Sequence, residues 1–215
     1  MRKYDESKIS KWLLKENLMW NNPVVAWTML TPVSMPGFLY NAYQIGKNRY
    51  QTSGEDKAKV LVFDEPLTEW QSLMLGVKGA VARFFTEKGI RVDYKHNARS
   101  GDLREVLADE NYQNIVVMGH GGRNQWCARD GTVYAEDLDE WMNGLPKKKG
   151  YFIQFTCGDE EGKPLGYSVV EDRSKILGYT KPVHLGDRFD SLWGESLKGI
   201  EGLVNINEKV PARLK

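Results

Sequence analysis

Cysteine is scarce in this chain: of 215 residues only Cys127 and Cys157 carry a thiol. Two cysteines do not make the disulfide framework of a small secreted domain, so a reducing, cytoplasmic setting is expected. An excess of charge of one sign is missing too. Lys plus Arg total 30 against 29 for Asp plus Glu, a formal net charge of +1. Such a balance sets up no long-range field for nucleic acid or an anionic membrane, and no nucleic-acid partner is expected. Lys147-Lys148-Lys149 is the only dense basic run; it follows Pro146 and reads as a solvated loop. The first residues, Met1-Arg2-Lys3-Tyr4-Asp5-Glu6, have no apolar segment behind them and do not read as a signal peptide. Internal repeats and low-complexity tracts are also lacking.

Long apolar runs are nearly absent. The exception is Pro23 to Tyr43, which carries Val24, Val25, Trp27, Met29, Leu30, Val33, Phe38 and Leu39 almost without charge. A membrane span needs about 20 apolar residues. Pro23, Pro32, Pro36 and Gly37 interrupt this one, so it reads as an irregular apolar arm packed on the domain or on a partner. A membrane-associated segment is the second reading. Residues from Asp5 to Trp20, with Ile9, Trp12 and Leu13 at helical spacing, suit an amphipathic helix. Lys47 to Lys59 is polar and reads as a linker. The division expected is therefore an N-terminal helix, apolar arm and linker over 1–56, then one domain over 57–215.

From Lys57 onward strands and helices alternate. Val60-Leu61-Val62-Phe63, Ile115-Val116-Val117-Met118 and Tyr151-Phe152-Ile153-Gln154-Phe155 are short apolar runs, the mark of strands buried on both faces. Ile90 to Tyr94 and Ile176 to Val183 read as two more strands. Trp70, Leu73, Met74, Val77, Val81, Phe84 and Phe85 keep helical spacing up to a stop at Gly89. Shorter helices are expected around Leu103 to Leu107, capped by Ser100 or Asp102, around Leu138 to Met142, and around Phe189 to Leu197. Asp130-Gly131 marks a hairpin turn within Gln125 to Tyr134. The pattern predicts an α/β fold, a three-layer sandwich with a mostly parallel central sheet and helices on both faces.

Catalytic groups in such sheets gather beyond the carboxyl ends of the strands. Two candidates fall there: His120, directly after Ile115–Met118, and Cys157, directly after Tyr151–Phe155. Neighbouring strands lie about 4.8 Å apart, so pairing of these two would bring thiol and imidazole within reach. A thiolate can attack a carbonyl while the imidazole moves the proton. Gly121 and Cys157 offer backbone N–H groups for the developing oxyanion. Cys127 reads as a packed residue, His96 and His184 as surface residues, and Asp137 and Asp139 as members of a polar helix face. His120, Cys127 and Cys157 match no common zinc spacing, and neither metal nor cofactor is expected. The Gly-x-Ser-x-Gly elbow of serine esterases is absent.

Apolar strand, His120-Gly121, hairpin and helix, apolar strand, Cys157-Gly158: this order resembles the caspase-like cysteine peptidases over about residues 59–199. Ile176-Leu177-Gly178-Tyr179-Thr180 is similar to the family's next core strand. The resemblance implies a caspase-like fold and a catalytic dyad of His120 and Cys157 acting on a protein or peptide substrate. It also implies that the residue two before the nucleophile, Phe155 here, helps shape the substrate pocket. Phe155 departs from the family's usual residue there, so neither acidic nor basic specificity carries over. The acidic loop containing Asp159 suggests a basic-residue preference. The alternative is a catalytically silent caspase-like scaffold that works as a subunit of a larger assembly, docked on a partner or a membrane through residues 23–43.

Overall fold

The computed structural model describes residues 39–63, 77–156, 162–178 and 203–206. A helix over 39–51 (α1) is followed by β1 (Lys57–Val62), α2 (Val77–Thr86), β2 (Arg91–Lys95), α3 (Ser100–Ala108) and β3 (Tyr112–Met118). The hairpin of β4 (Gln125–Ala128) and β5 (Gly131–Tyr134) leads into α4 (Ala135–Trp141) and β6 (Phe152–Phe155). After two 3-10 turns, Leu165–Tyr167 and Arg173–Lys175, come β7 (Ile176–Gly178) and β8 (Val204–Asn205). Among the described residues, six strands form one sheet in the order β2-β1-β3-β6-β7-β8. Neighbours from β2 to β7 are parallel, and β8 runs antiparallel to β7.

Strand periodicity sorts the apolar runs onto two faces. Ala58, Val60, Val62, Val116, Met118, Ile153 and Phe155 pack with Val81 and Phe85 of α2. Leu61, Ile115, Val117, Phe152 and Ile176 pack on the other side with Leu103, Val106 and Leu107 of α3, Leu138 of α4 and Trp126 of β4. A layer of helix therefore lies on each face, and the α/β three-layer arrangement with a mostly parallel sheet is as expected. Fully burying a side chain of this size contributes about 1.5–3 kcal/mol, which is why unbroken apolar runs become central strands.

The linker expected over Lys47–Lys59 is corrected. Residues 47–51 complete α1, and β1 begins at Lys57. The helix is unusual in burying a polar stripe, Asn41, Gln44 and Asn48, with Thr52 just beyond its end. Asn48 explains why. Its Oδ1 accepts from Val92 N–H at 2.9 Å, and its Nδ2 donates to Ile90 O at 2.9 Å and to Thr86 Oγ1 at 3.0 Å. β2 is the outer strand of the sheet, and α1 covers its open edge. Asn41 Oδ1 accepts from Gly79 N–H at 2.6 Å and ties α1 to α2. The packed unit thus includes α1, upstream of the boundary expected at residue 57. Of the apolar arm, 39–43 belong to this helix; 23–38 lie outside the described residues.

The solvated Lys147–Lys149 loop is corrected at its middle residue. Lys148 is only 2% exposed, and its Nζ donates to Asp109 O at 2.7 Å. Burial pushes the ammonium pKa down, against the opposing pull of the Asp109 and Glu110 carboxylates. The backbone forces this burial: Lys148 N–H bonds Val169 O at 2.8 Å, and Lys148 O accepts from Glu171 N–H at 3.0 Å. The helices expected over 5–20 and 189–199, the first part of the one expected from Trp70, and 179–183 of the fifth strand lie outside the described residues. Among the described residues, no helix is long and apolar enough to cross a membrane.

Candidate active site

β3 and β6 are parallel neighbours, with Met118 registered against Phe155. Gly119 N–H bonds Phe155 O at 3.2 Å and carries the ladder one residue further. The chain then leaves the sheet at His120, whose exposed imidazole stands at the carboxyl end of β3. The Phe63 ring meets it in an edge-on arrangement, with centroids 6.1 Å apart. Phe63 is itself held beside β3 by its N–H bond to Met118 O at 2.9 Å.

Beyond His120 the backbone doubles back along β4. Gly121 bridges Trp126 in antiparallel fashion. Cys127 N–H bonds His120 O at 2.9 Å, and Gly122 N–H bonds Gln125 O at 3.1 Å. These two bonds flank Gly121, so its own N–H points away from β4, as in any wide pair of an antiparallel ladder. Gly121 has a φ of +147°, and a Cβ there would overlap Gln125 O. Only glycine fits. Trp126, fully buried, donates from Nε1 to Met118 O at 3.2 Å and fastens the hairpin under the end of β3.

Gln154 of β6 and Thr156, the residue just past its end, clamp this turn. Thr156 Oγ1 donates to Gly122 O at 2.9 Å. Gln154 Nε2 donates to Arg123 O at 3.1 Å and to Gly122 O at 3.4 Å, while its Oε1 accepts from Leu165 N–H at 3.1 Å. The buried guanidinium of Arg123 donates in turn to Ile206 O. Gln154 and Thr156, two apart in sequence, reach the turn on the α3 side, while Ile153 and Phe155 face α2.

Of the expected site residues, His120, Gly121 and Phe155 fall within the described residues. His120 and Gly121 stand together at the carboxyl ends of the central strands. Phe155 is 8% exposed and packs in the cluster that includes Met118, Ile153 and Val62. Cys157 and Asp159 lie outside the described residues; Cys157 is the residue next to Thr156. The reading of Cys127 as a packed residue is corrected. Its neighbours Trp126 and Ala128 point into the core, so alternation leaves Cys127 facing outward, half-buried, with Sγ 4.0 Å from Thr132 Oγ1. Asp137 and Asp139, on the polar face of α4, have partners of their own: Asp137 Oδ2 accepts from Tyr134 N–H at 2.7 Å, and Asp139 pairs with Lys163 at 2.6 Å. His96 is exposed as expected, 3.4 Å from Lys78 Nζ, and His184 lies outside the described residues. Among the described residues no group of three or more His, Cys, Asp or Glu side chains is arranged to hold a metal.

The hairpin turn sits one residue earlier than its dipeptide suggests. Ala128 pairs with Gly131, so Arg129 and Asp130 form the loop. Asp130 accepts from Ser100 N–H at 2.8 Å and from Ser100 Oγ at 2.9 Å, capping α3 from outside. The bond from the Ser100 N–H holds the Asp130 carboxyl below the usual carboxylate range. Asp102, one of the two expected caps, reaches back to Arg99 N–H at 2.7 Å.

Searches among protein-family models and among curated proteins find no match to this chain. The chemistry must be argued from the site alone. That site presents an accessible imidazole, a glycine amide not spent on the hairpin and a rigid polar clamp beneath both. Sequence reasoning found the imidazole and the glycine but missed Phe63, Gln154 and Thr156. A polar residue inside an otherwise apolar strand was the available signal for Gln154.

Proposed function

We propose that the chain is a caspase-like cysteine endopeptidase, with Cys157 as nucleophile and His120 as general acid and base. One observation carries the reading. β3 and β6 are adjacent and in register at Met118 and Phe155, and His120 and Cys157 each follow their register partner by two residues. Two strand ends in such register lie about one strand spacing apart, which is the separation a thiol–imidazole dyad needs. His120 follows the third strand of the main sheet in chain order and Cys157 the fourth, which agrees with the family resemblance.

In the reaction, His120 takes the thiol proton and the thiolate attacks the peptide carbonyl carbon. The oxyanion that forms accepts hydrogen bonds from Gly121 N–H and Cys157 N–H. As the C–N bond breaks, the imidazolium protonates the leaving amine and a thioester remains. Water, deprotonated by His120, then releases the acid and restores the thiol. The acidic loop with Asp159 favours a basic residue before the scissile bond. The test is turnover of a peptide library. Cys157→Ala should abolish cleavage, and His120→Ala should lower it by about 10²–10⁴-fold. Cleavage that survives Cys157→Ala contradicts the proposal.

A second reading, a silent scaffold within a larger assembly, draws on the outward face of α1. Leu39 and Tyr43 are exposed there and Tyr50 is 91% exposed, an apolar surface of the kind a partner or a membrane covers. In that case the purified protein elutes in a complex and cleaves nothing; a monomer with robust turnover excludes it.

A further inference from the structure

Gln154, inside the otherwise apolar β6, and Thr156, just past its end, are buried polar side chains that both donate to the turn after His120. We infer that they are positioning residues, which set the His120–Gly122 backbone against the carboxyl end of β6 and so hold imidazole and oxyanion donor in attacking geometry. The inference rests on the dyad reading above and adds residues that the family resemblance does not supply.

The bonding pattern carries it. Gly122 O accepts from both side chains, at 2.9 Å from Thr156 and 3.4 Å from Gln154. Gln154 also holds Arg123 O and Leu165 N–H, so both ends of its amide are engaged. Both side chains are nearly inaccessible, at 1% exposure for Gln154 and 4% for Thr156. Bonds of this kind, out of water, are stronger than the same bonds at a surface. Gly122 N–H is fixed from the other side by Gln125 O. The peptide planes on either side of Gly122 are thus held through its N–H and its C=O, next in line to the His120–Gly121 plane that carries the Gly121 N–H and whose carbonyl accepts from Cys127 N–H at 2.9 Å. Thr156 immediately precedes Cys157, so one dipeptide of the chain supplies both the nucleophile and the anchor of the opposite loop. A packing role alone is met more cheaply by valine, which has threonine's shape without its hydroxyl.

The experiment reads the reactivity of Cys157 towards iodoacetamide as a function of pH, in a Cys127→Ser background so that a single thiol reports. It needs no knowledge of the substrate. A thiol activated by His120 alkylates with an apparent pKa well below the free-thiol value of about 8.5. Thr156→Val should move the profile towards that free value and slow alkylation at neutral pH about tenfold. Thr156→Ser, which keeps the hydroxyl, should restore it. Gln154→Glu, which keeps the acceptor for Leu165 N–H but loses the donor to Gly122 O and Arg123 O, should move the profile in the same direction as Thr156→Val and serves if that variant does not fold. On a cleaved peptide, the same variants should lower kcat with little change in KM. An activated parent thiol whose profile is unmoved in folded Thr156→Val or Gln154→Glu overturns the inference and leaves the dyad standing. A parent thiol that already behaves as a free one overturns the dyad, and the positioning role with it.

Discussion

Replacing Asn48 with alanine should uncover the outer edge of the sheet. One amide serves three groups there: Val92 N–H, Ile90 O and Thr86 Oγ1. Thr86 keeps its own bond to Ala82 O at 2.6 Å, so its loss is small. Val92 N–H has no such reserve. It faces away from β1 on the outermost strand, beneath a residue that is 1% exposed. Leaving a buried donor unmet costs about 1–3 kcal/mol, and each further bond adds about 1 kcal/mol. The sum is about 2–4 kcal/mol. For a chain of this size each kcal/mol lowers Tm by about 2–4 °C, so a fall of roughly 5–15 °C is expected. Thermal unfolding followed by circular dichroism measures it, and amide exchange at Val92 shows where the protection is lost. Asn48→Asp keeps the acceptor for Val92 N–H and should fall between the two. A Tm within about 2 °C of the parent, with Val92 exchange unchanged, would refute the claim that α1 is a structural cover of β2.

Three further outcomes follow from the geometry. Gly121→Ala should lower kcat at least tenfold and reduce Tm, since its Cβ overlaps Gln125 O in a backbone with a φ of +147°; unchanged turnover would separate this turn from the chemistry. Gly166→Ala should destabilise by about 1–3 kcal/mol, because its Cβ would lie 2.5 Å from the Phe152 ring; urea unfolding measures it, and a neutral result would mean the 3-10 turn packs elsewhere. The Asp130 carboxyl titrates lower folded than unfolded, so its stabilisation is present above the ordinary carboxylate pKa and is lost as pH falls through the folded value. The Tm gap between parent and Asp130→Asn should therefore narrow from neutral pH towards about pH 3; a gap independent of pH would contradict the capping of α3.

The central strands were legible in the sequence because burial on both faces demands uninterrupted apolar runs, and β1, β3 and β6 have them. His120 was legible for the same reason: a strand ending in glycines leaves few places for the residue between. Other features were not, and their causes are physical. Hydrophobic periodicity assumes that a helix turns its apolar side inward, whereas α1 buries Asn41, Gln44 and Asn48 and exposes Tyr43 and Tyr50. Three consecutive lysines look alike in sequence, yet only Lys148 is drawn in by the bridge to Val170. The partners of Gln154 and Thr156 on the turn lie 31 to 34 residues away, so no local pattern reveals the clamp. Cys127, framed by buried Trp126 and Ala128, looked like core until the alternation of β4 turned it outward.

The central claim is that Cys157 and His120 work as a dyad, and it is tested most directly by finding which residue an electrophilic peptide ketone modifies. Intact mass followed by peptide mapping should show one adduct, on Cys157, absent in Cys157→Ala and formed far more slowly in His120→Ala. An adduct on Cys127 in the parent protein, or one on Cys157 that forms equally fast without His120, would contradict the account.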